Sequence, residues 1–398
     1  MTLVFVDDQV AADFQPFALT RPCCELRAGA LLVRQRWERA TGLSTTGFVG
    51  GPHLTNFDEP GSATAVDQTI PAGSILVNSR CAVALRPLDP NAPAWNCDGR
   101  LAAVRLTEAT SADAIARNSW QLDSFLGSAQ PEEAEGVWID QVWDFIRHLS
   151  ALLSDDIGQL AEWTDQRSTS DLSTIGGTHP IFVEADAIVD PMVVLDSRDG
   201  PILVRRGASV QSFTKLVGPC LIGEGTTVNG GRISGSSIGE NCRVHGEVSA
   251  SIFTGHSNKG HDGFLGHSML GRWVNLGAGT VNSNLKNNYS EVSMWTPRGV
   301  EKTGMQFLGA LIGDHAKTAI GSRLTTGAIV GAGANVYGPG ITSRYVPPFA
   351  WGLDGTTLWE LDAFLETAGR AMQRRNVDLT EKAKRQLTAA WERAVDKR

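Results

Sequence analysis

From about Ile181 to Tyr345 apolar residues recur every six positions, each usually followed by a small residue. The series runs Ile252, Asn258, Phe264, Leu270, Leu276, then Ile312, Thr318, Leu324, Val330, Val336. Gly223, Gly271, Gly277, Gly313 and Gly331 each follow such a residue, and the pairs Ile222/Val228 and Ile238/Val244 keep the step. A step of six fits neither the period of a helix nor the alternation of a strand. It predicts a parallel β-solenoid, with three short faces per coil, an aliphatic pointing inward from each face and a small residue at each corner. Asn258 and Thr318 are its polar occupants. The competing architecture is an all-β sandwich with Gly-rich turns, whose turns are spaced less regularly. Between Asn284 and Phe307 the repeat breaks, which predicts a loop thrown out of the solenoid, where function commonly resides.

Before the repeat, short apolar runs (Leu3–Val6, Gly47–Gly50, Ile75–Val77, Ala102–Leu106) alternate with helical or loop stretches. Leu26, Ala30, Val33 and Trp37 fall at helical spacing between Glu25 and Arg39, so strand, helix and strand succeed one another as in an α/β layer domain. Val142, Ile146, Leu149 and Leu153 predict one long amphipathic helix over Val137–Leu160, followed by a polar linker, Thr164–Thr178. After Pro347–Pro348 the pattern turns helical. Thr357 and Glu360 suggest a capping box, a second helix starts at Thr380, and these helices are placed to close the open solenoid end. The chain thus divides into an α/β domain (1–135), a connecting helix and linker (136–178), a β-helix domain (179–350) and a helical extension (351–398).

Composition narrows the function classes. The net charge of −8 argues against nucleic acid, which needs a basic face. Six cysteines without a C-x-x-C pair suggest buried thiols in a reducing compartment, neither a disulfide framework nor a zinc site. The amino terminus turns acidic after four apolar residues, and no stretch reaches the roughly 18 apolar residues of a membrane span. A cytoplasmic protein without a membrane partner is expected.

Candidate chemistry concentrates in Asn258–His267 and Leu276–Asn284. A lone histidine on a solenoid face is ordinarily a surface residue. His261, however, lies near glycines that allow close approach, and Asn275, Asn282 and Asn284 stand where a structural coil would do well with Thr or Val. An imidazole titrating near neutrality suits a general base for an attacking amine, and amides can fix the nucleophile or an oxyanion. Metal ligation is the competing role for His245, His256, His261 and His267. With coils of about 18 residues, no pair among them would stack on one face.

The string KGHDGFLGHSMLGRWVNLGAGTVNSNLK resembles the acetyltransferase half of the bifunctional N-acetylglucosamine-1-phosphate uridylyltransferase / glucosamine-1-phosphate N-acetyltransferase family. The likeness covers roughly residues 180 to 350. More narrowly, the whole chain resembles the shorter sugar nucleotidyltransferase variant of that family. The resemblance implies a left-handed parallel β-helix of hexapeptide repeats joined to a nucleotidyltransferase-like α/β domain, acting in nucleotide-sugar biosynthesis of the UDP-N-acetylglucosamine type for the cell envelope. It further implies His261 as general base, Asn275 and Asn284 against the amino sugar, and acetyl-CoA along the solenoid between subunits of a homotrimer.

Two positions depart from the family pattern. Phe264 stands where the family has a substrate-contacting tyrosine, and Ser249 where it has a lysine that holds the sugar phosphate. Arg232, Arg243 and Lys259 are candidates to replace that charge. In the first domain Pro16–Pro22 and Glu25–Gly29 resemble the segment after the family's nucleotide-binding loop, although the G-x-G-T-R signature is absent. Arg21 and Arg27 could neutralise a nucleoside triphosphate, and Asp7 or Asp8 could hold Mg²⁺. Three activities remain open on these residues: acetyl and nucleotidyl transfer together, nucleotidyl transfer from UTP or dTTP to a sugar phosphate with the β-helix as scaffold, or sugar-nucleotide binding without turnover.

Overall fold

A computed structural model describes residues 1–117, 121–162, 164–165, 175–353 and 355–396. Most of the expected linker, 166–174, lies outside the described residues. The chain divides into two compact units, Met1–Asp144 together with Leu379–Arg398, and Phe145–Asp378.

In the first unit a mixed six-stranded sheet has the order Glu132–Glu133, Ala94–Cys97, Arg100–Arg105, Ile75–Asn78, Leu3–Val6, Thr45–Val49. Leu3–Val6 is apolar and buried throughout, as a strand covered on both faces must be, and it runs parallel to both neighbours. Ile75–Asn78 meets Arg100–Arg105 antiparallel. The helix expected from Glu25 starts only at Val33. Ahead of it Cys23–Glu25 forms a 3-10 turn, and Arg27–Ala28 folds back on Leu31–Leu32 because Gly29 takes a φ of 64°. The helix buries Trp37, whose Nε1 donates to the Cys81 carbonyl at 2.9 Å, and stops at Gly42 in the left-handed region.

The long helix expected over Val137–Leu160 is also shorter than its pattern. Gly136–Trp138 is a strand antiparallel to Cys81–Val83, with the Trp138 Nε1 donating to the Cys97 carbonyl at 2.8 Å. Asp144 Oδ2 accepts from the amides of Asp140 and Gln141, and helices Asp144–Arg147 and Leu149–Ala161 follow. At the other end of the chain Thr380 Oγ1 caps the helix Glu381–Asp396, and Gln386 Nε2 donates to the Thr20 carbonyl, which ties the closing helix to the first unit.

The second unit is a parallel β-solenoid with three faces of six, nine and eight strands. They are called here the first face (from Ile175–Gly177 to Phe264–Gly266), the second (from Ile181–Val183 to Tyr345–Val346) and the third (from Ile188–Val189 to Asn335–Val336). Inward side chains stack coil on coil into one core, for example Leu216, Ile233, Val248 and Leu265 on the first face. Gly277 stands at a corner where a Cβ would lie 2.5 Å from the Ala319 carbonyl carbon of the next coil, so no side chain fits.

The six-residue step is correct for Ile222, Val228, Ile238, Val244, Leu270 and Leu276 and from Ile312 to Val336, and it is off by one over Ile252–Phe264, where Phe253 and Leu265 join the core instead. Lys259 and Leu265 point inward, whereas Asn258 and Phe264 do not. The cause is a tight corner between first and second faces, so that successive coils are shorter than 18 residues: Ser237 pairs with Ile252, and Ile252 with Met269. That corner is held by a buried serine ladder. Ser236 Oγ donates to the Ser234 carbonyl and accepts from Ser251 N, Ser251 Oγ donates to the Ser249 carbonyl and accepts from Ser268 N, and Ser268 Oγ accepts from Ala310 N.

The excursion after Asn284 is a hairpin, Ser293–Thr296 against Gly299–Lys302, whose Trp295 ring stacks on Tyr345 at 3.7 Å between centroids. At the carboxyl end the expected capping box is absent. The helix begins at Leu361, and the Thr357 carbonyl is used by Trp351 N. Phe364 of this helix packs edge-on against Phe349, 4.9 Å away, and covers the last coil.

Replacing Ser251 with alanine strands the Ser268 amide without a partner. We expect a loss of about 1–3 kcal/mol in the solenoid's unfolding transition, followed by urea titration. An unchanged midpoint would contradict the ladder.

Candidate functional site

The first unit carries a cleft of about 450 Å³ at the carboxyl ends of its central strands, lined among others by Asp8, Asn78, Arg80, Arg100, Gln121 and Trp138. Such a crevice is where α/β sheets commonly take ligands. Arg80 bridges its floor, pairing with Asp8 at 2.7 Å and with Asp140 at 2.7 Å, and Arg100 also pairs with Asp140 at 2.9 Å. The guanidinium of Arg100 lies over the Trp138 ring, 4.1 Å from its centroid. Cations, an aromatic face and amide groups therefore converge, a set suited to a phosphorylated ligand with a planar group.

Neither acidic residue of the first strand end offers oxygens to an ion. Asp8 accepts from the amides of Val10 and Ala11, from Asn78 Nδ2 and from Arg80. Burial pushes its carboxyl up, but the Arg80 hydrogen bond and charge outweigh that and hold it below the usual range. Asp7 is enclosed and accepts from the Cys23 amide, and burial raises its carboxyl to about 7. Among the described residues no group of three or more His, Cys, Asp or Glu side chains could hold a metal ion. As arranged, these residues do not fit Mg²⁺. Arg21 is buried in a bidentate pair with Glu59 at 2.8 and 3.1 Å, and Arg27 is buried with Nη1 on the Ala30 carbonyl. Neither lines the cleft.

In the second unit the predicted residues fall into neighbouring groups. On the third face Asn258 Nδ2 donates to Asn275 Oδ1 at 2.7 Å. His261 follows on the exposed turn toward the first face, and its imidazole makes no hydrogen bond among the described residues. The turn is pinned from inside by Lys259, whose Nζ donates to the carbonyls of His245 and His261 at 2.8 and 2.7 Å. Burial lowers this ammonium to about 8. Phe264 and Asn284 converge over Gly266, where a Cβ would lie 2.5 Å from the Phe264 ring and 2.7 Å from Asn284 Nδ2. Asn284 bonds to His267 Nδ1 at 2.9 Å, and His267 stacks on Phe307 at 5.4 Å.

His267 and Phe307 belong to this group, though the sequence offered them only as a possible metal ligand and a loop end. The signal that could have found them is the 17-residue separation of His267 and Asn284, the local coil length. That separation also stacks His245 Nε2 on Asp262 at 3.0 Å. Asn282 turns inward, bonding both the amide and the carbonyl of Gly266. Arg232 sits on the exposed column of the first face, two coils before Phe264, and Arg243 on the third face beside Asn258.

Residues 3–164 match the family profile described as sugar nucleotidyl transferase. The amino-terminal part of the chain is thus similar to that family over the matched residues. Relatives extend the likeness: the chain is 33% identical over 100 residues to a bifunctional sugar-1-phosphate nucleotidylyltransferase/acetyltransferase of Sulfurisphaera tokodaii, covering 25% of each chain. It is 28% identical over 169 residues to a bifunctional protein GlmU of Jannaschia, covering 40% of this chain and 36% of the relative. A GlmU of Synechococcus elongatus is 26% identical over 169 residues, 42% of this chain and 28% of its own. The matched stretches thus span between a quarter and just over a third of these relatives. Within the matched residues, the Asp8–Arg80 pair occupies the strand end that opens into the cleft.

Asp7 gives a pH test of this region. Its folded-state pKa, about 7, exceeds the ordinary 3.8, so the fold favours the protonated carboxyl. That contribution is complete below pH 4 and is lost as pH rises toward 7. Asp7→Asn should therefore raise the thermal midpoint relative to wild type more at pH 8 than at pH 4. An equal difference at both pH values contradicts the buried-acid assignment.

Proposed function

We propose that the chain is a two-part sugar-phosphate transferase of nucleotide-sugar biosynthesis of the UDP-N-acetylglucosamine type. The carrying observation is one chain that joins a stretch matching the sugar nucleotidyl transferase profile to a parallel solenoid in which His261 follows Asn258, the partner of Asn275, on an exposed turn. In this reading the cleft of the first unit takes the nucleotide and sugar phosphate, with Arg80 and Arg100 facing phosphate oxygens and Trp138 a planar group. Mg²⁺ enters no step, because Asp7 and Asp8 are committed elsewhere.

At the solenoid the amine of an amino sugar attacks the thioester carbonyl of acetyl-CoA. His261 takes the proton from the attacking nitrogen and returns it to the sulfur as the C–S bond breaks, so that the thiol departs with no covalent enzyme intermediate. Asn275 and Asn284 orient the sugar, the latter in the group that holds Phe264. Lys259 keeps the His261 turn in place by its two carbonyl bonds, so it is not available to hold a sugar phosphate. Assembly as a homotrimer and action in the cytoplasm belong to the same reading. No described helix is long and apolar enough to cross a membrane.

The saturation of Asp8 favours a second reading of the first unit alone, in which it binds a sugar nucleotide without turning it over. Two assays separate the possibilities. His261→Ala should cut thiol release from acetyl-CoA by about 10²- to 10⁴-fold while leaving any pyrophosphate release unchanged. Equal loss of both activities sinks the division of labour. Sugar-nucleotide binding without pyrophosphate release selects the second reading.

A further inference from the structure

Arg100 lines the cleft of the first unit with its fork already in use. Its Nη1 donates to Asp140 Oδ1 at 2.9 Å and its Nη2 to Asp140 Oδ2 at 3.1 Å, the two-point match that a guanidinium also offers to phosphate. Arg80 Nη1 donates to the same Oδ1 at 2.7 Å. One carboxylate is thus clasped by both arginines of the cleft, while Arg80 keeps Asp8 through Nε and Nη2.

Exposure decides which of these contacts can yield. The Asp140 side chain is 53% exposed and that of Arg80 only 9%. A half-exposed pair contributes little and its acid regains water on release, whereas breaking Arg80 from Asp8 would leave a buried charge uncompensated. The main chain at Asp140 is held separately, by the Asp140 amide on Asp144 Oδ2 and the Ile139 amide on the Arg80 carbonyl, so release of Arg100 needs only a side-chain rotation. Contact with the Trp138 ring, 4.1 Å from its centroid, keeps the freed guanidinium at the cleft.

Charge points the same way. The acids lining the cleft, Asp8 and Asp123, balance Arg80 and Arg100, and Asp140 adds a further negative charge. Burial pushes the Asp140 carboxyl up, but Arg100 and then Arg80 hold it below the usual range, so it stays ionised at neutral pH. A single carboxylate on a ligand offers the arginines nothing that Asp140 does not already supply. A diphosphate brings more charge and more acceptor oxygens.

We propose that Asp140 is the specificity-determining residue of this cleft, an internal counter-anion that a ligand's diphosphate group displaces from Arg100. This role rests on the reading above that the cleft takes a phosphorylated ligand. Asp140 then sets the charge a ligand must carry, and it opposes binding instead of holding the arginines ready for it.

The test is calorimetric titration of the full chain with inorganic pyrophosphate, the cleft event being the one lost in Arg100→Ala. Asp140→Asn keeps the size of the side chain and removes its charge, and should tighten that event by about two- to fivefold, the scale of one exposed ion pair. Asp140→Ala should change it in the same direction. The gain should vanish when Asp140→Asn is combined with Arg100→Ala, because it acts through Arg100. A fixed concentration of pyrophosphate should also raise the thermal midpoint further in Asp140→Asn than in wild type. Unchanged or weaker binding in Asp140→Asn, with the event still lost in Arg100→Ala, overturns the counter-anion role and leaves the cleft reading standing. Absence of pyrophosphate binding in both wild type and Asp140→Asn overturns the two together.

Discussion

The structure of the second unit depends on how closely one coil's backbone can lie on the next. A parallel ladder between coils satisfies backbone amides and carbonyls only if the corners let the chain turn without a side chain intervening. Gly277 meets that condition by having no Cβ. The corner between first and second faces meets it with serine, whose hydroxyl is small and also bonds both its own coil and the next. Several exposed polar groups are placed by this stacking: Asn258 on Asn275, His245 on Asp262, Asn284 on His267. Each pair is one coil apart.

The same stacking explains why a lysine can occupy the core. Lys259 takes an inward position between Val244 and Leu276 in the third-face column, where an aliphatic stands in neighbouring coils. Its ammonium reaches two carbonyls of the turn that carries His261, which offsets the cost of burying a charge. A residue that looks from sequence like a solvent-facing phosphate ligand is thus an internal brace. In the first unit Arg80 behaves comparably. It draws Asp8, Asn78 and Asp140 into one network at the strand ends, and an acid that could have faced a metal ion instead caps a short helix.

Much of this was legible from the residues, and the failures have identifiable causes. The helices expected over Glu25–Arg39 and Val137–Leu160 form only in their later parts, Val33–Thr41 and Asp144–Arg147 with Leu149–Ala161, because the residues ahead of them serve a turn and a strand. Gly29 reverses the chain, and the Trp138 indole seeks a carbonyl on a neighbouring strand. The six-residue count read Asn258 and Phe264 as inward because a corner shortened by one residue shifts the register without disturbing the count. Phe264 consequently faces outward and meets Asn284 over Gly266, while Lys259 goes in.

What the sequence by itself determined is the solenoid, because its periodicity is a local property repeated many times, and the α/β character of the first unit, whose buried strands are apolar runs. It also singles out the stretch from Asn258 to Asn284 as the candidate for chemistry. Tertiary structure alone decided the partners of each polar group. Whether Asp8 meets an ion or Arg80, whether Arg21 faces a phosphate or Glu59, and whether Lys259 points to solvent or to carbonyls are set by residues far away in the chain. Coil length and strand order bring those residues close, and no local pattern records them.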